Sequence, residues 1–348
     1  MIIKFSDIIG QNALKSRLMQ SVLDGDPSQA YILDGEKYSG RKTLASAFSA
    51  ALQCEKKGRE ACGKCHSCKM AAAGTHPDII HLSPGSLSAR KTDAGKQLSY
   101  RIEDIRSEII DDIGMKPFYG PYKIYILDEA ETLNAASQNA LLKTLEDPPP
   151  HGIIMLLTED SDVFLDTVRS RCTAVSMMPL PDSEMIRHII KRVSIPEYEA
   201  RMIASFAHGN IGRAFYLADN TSSDSKAFSD IRSSVAELLS HIDDRPVDVL
   251  LNDASEMIST IDKEYPGHIR DIFDFFLIWY RDVLIFKSIE DKTRLTFQEE
   301  SYAISQTARR QTFSQLKSDI EAVLNARKQL AANVNGERAL SQLILSLH

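Results

Sequence analysis

Three groups of residues in this 348-residue chain have the types and spacing to do chemistry. The first is "GEKYSGRKT" at 35–43, which approaches the phosphate-binding loop G-x-x-x-x-G-K-[ST] but carries an arginine after its second glycine. In such a loop the glycines let backbone N–H groups approach a phosphate, a lysine neutralises it, and a hydroxyl holds magnesium. Two registers compete here. If Lys42 is the phosphate lysine and Thr43 the magnesium ligand, Arg41 and Glu36 stand where the two glycines belong, and the close backbone approach is lost. If Gly35 and Gly40 are the motif glycines, their spacing is right, but Arg41 takes the lysine position and Lys42 the metal-ligand position. The second register is better, because glycines specify the backbone shape and one residue along a helix turns a side chain by about 100°. A cation then stands where a hydroxyl should coordinate magnesium. ATP hydrolysis is therefore not expected, and ATP binding is expected to be weak or absent.

The second group is acidic and basic. "IYILDEAE" places Asp128 and Glu129 at the end of an apolar strand, as suits a pair that orients magnesium and an attacking water. The competing reading is a strand end whose carboxylate caps the next helix. Downstream of "LLTED", "TVRSRCTAV" carries Arg169 and Arg171 at the expected rim of a sheet. They are either a solvated face or a cation that one subunit lends to its neighbour's transition state.

The third group is Cys54, Cys62, Cys65 and Cys68 in "CEKKGREACGKCHSCK". Two C-x-x-C steps let thiolates converge on one tetrahedral ion, with Cys54 as fourth ligand from the end of the preceding helix. Zinc is the expected metal, structural because four thiolates leave no open position. Disulfides are the competing reading, and a chain without a leader, expected in the cytoplasm, argues against them. His66 lies inside the cluster and could replace one ligand, while Cys172 reads as an ordinary buried thiol.

The elements that must position these groups are legible in the hydrophobic pattern. Apolar runs "AYILDG" at 30–35, "DIIHLS" at 78–83, "YKIYILDEA" at 122–130 and "GIIMLLTED" at 152–160 alternate with helical stretches, which predicts a parallel sheet covered by helices. After "MMPLPD" at 177–182 the periodicity becomes helical, as in "MIRHIIKRV" and "FDFFLIWYRDVLIFK". "DNTSSDSK" at 219–226 reads as a linker. No run of eighteen apolar residues suggests a membrane span. A net charge of −7 argues against coating nucleic acid by bulk charge. The basic residues of "SLSARKTDAGK" near 85–96 read as a solvated polar loop rather than a DNA contact.

"FSDIIGQ", the degenerate loop, "CGKCHSC", "AGTHPDII", "LDEAETLNAASQNALLKTLEDPPP" and "VRSRC", in this order, resemble the AAA+ subunits of the bacterial DNA polymerase III clamp loader. "HGNIGRA" extends the likeness, and "ANVNGERALSQLIL" resembles the family's last helix. The resemblance implies an α/β AAA+ domain over 1–178 with a zinc module at 54–68, a helical lid over 179–222 and an all-α collar over 223–348. The broken loop resembles the delta-prime branch rather than the ATP-hydrolysing gamma/tau branch. On that likeness Arg171 is an arginine finger acting in trans, and Thr158 and Arg213 hold the sensor positions. Gamma/tau and delta subunits, the sliding clamp and primed DNA are then the partners. Asp128 and Glu129 depart from those delta-prime sequences in which the acidic pair is lost. Two other readings compete: an active gamma/tau-type ATPase, and a zinc-dependent DNA-binding module.

Overall fold

A computed structural model describes residues 4–87, 99–219, 223–265, 268–331 and 334–347. The chain divides into two compact units, residues 1–179 and 180–348. The expected lid and collar, from residue 180 on, both fall within the second.

In the first unit helix α1 (Asn12–Asp24) precedes strand β1 (Ala30–Asp34), and α2 (Arg41–Leu52) and α3 (His66–Ala73) follow. Strand β2 (Ile79–Leu82), a helical run over 102–113, β3 (Lys123–Leu127), α4 (Ala135–Glu146) and β4 (Gly152–Thr158) come next. The short helix α5 (Asp166–Arg169) leads to β5 (Thr173–Ser176). The strands form one sheet in the order β2-β3-β4-β1-β5, with every pair parallel. The fifth strand escaped the pattern reading, because its four residues include only one buried position, Val175.

Period-two alternation divides the sheet's side chains between two cores. Tyr31, Leu33, Ile124, Ile126, Ile153, Met155 and Leu157 pack on one face with Leu44, Phe48 and Leu52 of α2. Ile32, Tyr125, Leu127, Ile154 and Leu156 pack on the other with Leu141 and Leu145 of α4 and Ile105, Ile109 and Ile113 of the helical run. The central strands β1, β3 and β4, buried on both faces, need continuous apolar sequence, which is why they read so clearly, whereas the edge strand β2 is buried only at Ile79 and Leu82. The registers Asp34↔Thr158 and Leu127↔Leu156 bring the carboxyl ends of β1, β3 and β4 to one edge, where open α/β sheets place their ligand sites.

The second unit is helical among its described residues. It contains α6 (Asp182–Val193), α7 (Glu197–Ala207), α8 (Ile211–Ala218), α9 (Ser223–Ser240), α10 (Val247–Glu264) and α11 (Ile269–Ile289). Helices α12 (Ser301–Arg310), α13 (Phe313–Ala331) and α14 (Gly336–Leu347) complete it. The stretch read as a linker is helical from Ser223 on, and residues 220–222 lie outside the described ones. Phe206 stacks on Phe275 with ring centroids 4.8 Å apart, and Phe228 meets Phe275 at 5.1 Å. The polar loop read near 85–96 is outside the described residues from 88 on. No helix among the described residues is long and apolar enough to cross a membrane.

Candidate functional site

The phosphate loop keeps its backbone. The Gly35 N–H donates to the Thr158 carbonyl at 3.1 Å, tying the loop to the end of β4. Gly40, just before α2, has φ +93°, which a residue with a β-carbon adopts only under strain. The glycine register is therefore the one the chain folds into.

The interior of the loop is occupied by the chain itself. Arg41 is only 6% exposed; its guanidinium donates to the Gly35 carbonyl and lies 3.4 Å from the Glu159 carboxylate. From the other side Met177, whose N–H donates to the Asp34 carbonyl at 2.8 Å, packs against the first glycine. A β-carbon at Gly35 would come within 2.9 Å of the Met177 side chain. A planar fork held this way cannot act as the slim point charge that the motif uses for phosphate.

Lys42, the next residue, reaches the acidic residue after β3. Its ammonium forms an ion pair with Asp128, so the metal-ligand position supplies a cation directly to the carboxylate that would otherwise help to hold magnesium. The Lys42 side chain is 66% exposed and that of Asp128 10%. Thr43, the next residue, lies one step further along α2. Asp128 is fixed through its backbone: its N–H donates to the Leu82 carbonyl at 2.9 Å, and its own carbonyl accepts the Tyr100 hydroxyl at 2.6 Å. Its Oδ1 is buried with no hydrogen-bond partner among the described residues. Glu129 is exposed at φ +50° in the turn after β3.

Thr158 is fully buried, and its hydroxyl is engaged in its own turn, donating to the Asp160 carbonyl at 2.8 Å and accepting the Asp160 N–H at 3.2 Å. The two rim arginines differ. Arg169 holds two carboxylates, Asp162 and Asp166. Arg171 is tied to the Thr167 carbonyl at 2.7 Å and to one carboxylate, Glu146, at 2.8 Å. Arg213 belongs to the second unit, where its guanidinium lies 5.0 Å from the Phe206 ring centre and 3.7 Å from Asp271. Glu159, Met177 and Glu146 escaped sequence reading, because nothing in their spacing shows that they fill or restrain the site.

The four cysteines come together as expected. Their Sγ atoms all lie within 4.8 Å of one another, with Cys62 and Cys68 4.0 Å apart. A tetrahedral zinc with bonds of about 2.3 Å sets sulfurs roughly 3.8 Å apart, so the donors fit. Backbone N–H groups point at the sulfurs: Cys62 donates to Cys54 at 3.4 Å, Lys64 and Cys65 to Cys62 at 3.5 and 3.4 Å, and Cys68 to Cys65 at 3.4 Å. The N–H groups of Lys64 and Cys65 pull the Cys62 thiol down to about 6. Burial pushes Cys54 and Cys68 the other way, the cost that a bound cation reverses by deprotonating its ligands. His66 is not one of the convergent donors; its ring lies 5.5 Å from that of Tyr119. Cys172 is pushed up to about 12 by burial and is an unreactive thiol.

Known proteins resemble this chain over most of its length. Residues 10–181 match the family model described as DNA polymerase III, delta subunit, and residues 249–348 match the delta subunit's C-terminal model. The DNA polymerase III subunit delta' of Bacillus subtilis is 28% identical over 340 residues, covering 97% of both chains. The tau/gamma subunit of Haemophilus influenzae is 29% identical over 255 residues, which are 71% of this chain and 35% of that one. Among solved structures, the RuvB Holliday junction branch migration motor of Thermotoga maritima matches at 18% identity and TM-score 0.44, covering 80% of each chain. Two family models in chain order and a relative aligned almost end to end identify the lineage: the chain belongs to the DNA polymerase III clamp-loader family, as a homologue of its delta-prime and tau/gamma subunits.

Proposed function

We propose that this chain is the delta-prime-type member of a clamp loader: it does not hydrolyse ATP itself, and it offers Arg171 to a nucleotide site on an adjacent gamma/tau subunit. The observation that carries the reading is the position of Arg41, buried against the Gly35 carbonyl inside the loop that would hold phosphate. The Lys42–Asp128 pair adds to it by meeting the charge need of the acidic residue without metal. Arg171 is exposed and restrained by a single carboxylate, so a guanidinium can be delivered across a subunit boundary by exchanging Glu146 for a phosphate oxygen. A cation placed there neutralises charge on the transferring phosphoryl group. Thr158 and Arg213, at the sensor positions, serve as structural groups, since each is held by neighbours within its own unit.

On this reading the four cysteines hold a structural zinc, and the partners are gamma/tau and delta subunits, a sliding clamp and primed DNA, in the cytoplasm. Nucleotide titration of the purified chain tests the loop: no magnesium-dependent ATP binding and no turnover are expected. Turnover by the chain alone, abolished by Glu129→Gln, would establish the gamma/tau-type ATPase instead. In the reconstituted complex, Arg171→Ala should lower ATPase and clamp loading, on the order of a thousandfold at the site it completes. Unchanged loading by that variant overturns the finger role.

A further inference from the structure

A second surface of the first unit has no part in nucleotide chemistry. Residues 54–69 carry five exposed cations, Lys56, Lys57, Arg59, Lys64 and Lys69, against two carboxylates, in a chain whose net charge is −7. None of the five has an ion-pair partner among the described residues. Contiguous with them is the loop 115–122, "MKPFYGPY", which adds exposed Lys116 and displays Phe118 at 87% exposure. Met115 and Tyr119 are exposed beside it.

The loop is rigidly braced, so this exposure is built in. The buried Asp78 carboxylate accepts the backbone N–H groups of Phe118, Tyr119 and Gly120, the last two at 2.7 and 2.9 Å. Tyr119 meets the His66 ring at 5.5 Å, the His76 ring at 6.1 Å and the Glu55 carboxylate through its hydroxyl at 3.4 Å. His76 Nδ1 accepts the Asp78 N–H, so its Nε2–H donates to Ser67 Oγ at 3.0 Å, and that hydroxyl donates to the Gln53 carbonyl at 2.7 Å. The Gln53 side-chain amide in turn donates to the Tyr122 carbonyl. The aromatic loop and the cysteine module are thus one preorganised piece.

We infer that this face binds single-stranded nucleic acid, with Phe118 as a stacking platform for a base and the cations of the cysteine module tracking the phosphates. Charge complementarity favours a polyanion, and the bare aromatic face favours a base over a peptide. A peptide's apolar anchor needs a pocket to enter, whereas a base needs only an open ring to stack on. The cations lie on the segment whose four cysteines would be stapled by the proposed zinc, so they would be presented without the entropy cost of ordering a loop. The clamp-loader reading also has a nucleic-acid partner, primed DNA; what is added is a particular face of this chain, and because its test needs neither ATP nor other subunits, either reading can fail alone.

The test is a titration of the full metal-loaded chain with a fluorescent oligothymidine at low salt. Binding is expected with a log–log salt slope of about −2 or steeper, corresponding to three or more phosphates. Phe118→Ala should weaken it about tenfold or more with an unchanged thermal midpoint, since the side chain is exposed, while Phe118→Trp should retain it with quenched tryptophan emission. Lys64→Glu with Lys69→Glu should weaken binding and flatten the salt slope. No binding at low salt, or binding indifferent to both Phe118→Ala and the charge reversals, overturns the inference. A polyglutamate peptide containing phenylalanine that binds in a Phe118-dependent way while oligothymidine does not also overturns it, in favour of an acidic protein partner.

Discussion

The phosphate loop and the cysteine cluster, both at ends of α2, solve opposite problems. At its N-terminal end the fold keeps a ligand loop and fills it with its own side chains, Arg41 from within and Met177 against Gly35. At its C-terminal end it gathers four sulfurs whose protonation costs are unequal, Cys62 pulled down and Cys54 and Cys68 pushed up by burial. The first site is self-sufficient and the second asks for a cation. A motif that keeps its shape can therefore be chemically closed, while a cluster with no motif beyond spacing can depend wholly on a ligand.

The sharpest way to break the comparison is to strip from the cysteine site the zinc it is proposed to hold. Structural zinc contributes about 10–16 kcal/mol to the folding of small modules; chelation, or Cys65→Ser with Cys68→Ser, should open residues 54–73 to proteolysis and lower the thermal midpoint strongly. Metal analysis should find one zinc per chain, and a metal-free chain with an unaltered midpoint would sink the distinction. The next effect is at the loop. Arg41→Ala removes a buried side chain and its bond to the Gly35 carbonyl, while the half-exposed Glu159 carboxylate is resolvated, and should destabilise the chain by about 1–2 kcal/mol in denaturant unfolding. Arg41→Lys combined with Lys42→Thr restores the motif after Gly40 and should gain magnesium-dependent ATP binding at least about tenfold over the parent chain, a difference of about 1.4 kcal/mol or more. Failure to gain it would show that Met177, rather than the two cations, closes the site.

Smaller effects sharpen the contrast. Burial holds His76 below the ordinary histidine range, opposed by Asp78 and reinforced by His66. A ring that stays neutral in the folded chain takes up its proton on unfolding. Its contribution is therefore present above about pH 6.5 and lost as pH falls below it. His76→Gln should make the thermal midpoint less sensitive between pH 7.5 and 5.5, measured with bound metal quantified at each pH; an unchanged slope would remove His76 from the brace. Lys42→Met should cost less than about 1 kcal/mol, because the lysine is largely exposed and its ion pair is screened by solvent. A larger loss would make Lys42 a structural pillar of the loop.

Much of this was legible in the sequence for identifiable physical reasons. The three central strands showed as continuous apolar runs, and C-x-x-C spacing forces sulfurs together whatever the surroundings. The glycine register could be chosen because φ +93° at Gly40 is a demand on residue type. Strand β5 was hidden because an edge strand of four residues with one buried side chain has no period to detect. Glu159, Glu146 and Met177 were hidden because their roles depend on long-range neighbours: Glu159 faces Arg41 across 118 residues of chain. The rim arginines were left open between a solvated face and a delivered cation; they differ in partners, two carboxylates for Arg169 and one for Arg171, and the choice between the two roles is left to the Arg171→Ala test.

The guanidinium inside the phosphate loop also has a thermodynamic consequence. A ligand that binds only the folded state raises stability with its concentration, and a protein with an open nucleotide site is coupled in this way to the ATP level around it. Arg41 is tethered, always charged and present at fixed stoichiometry, so on the proposed reading the loop it fills should carry no such linkage. This subunit's fold should be blind to the energy state of the cell: its unfolding midpoint should stay the same from zero to millimolar ATP.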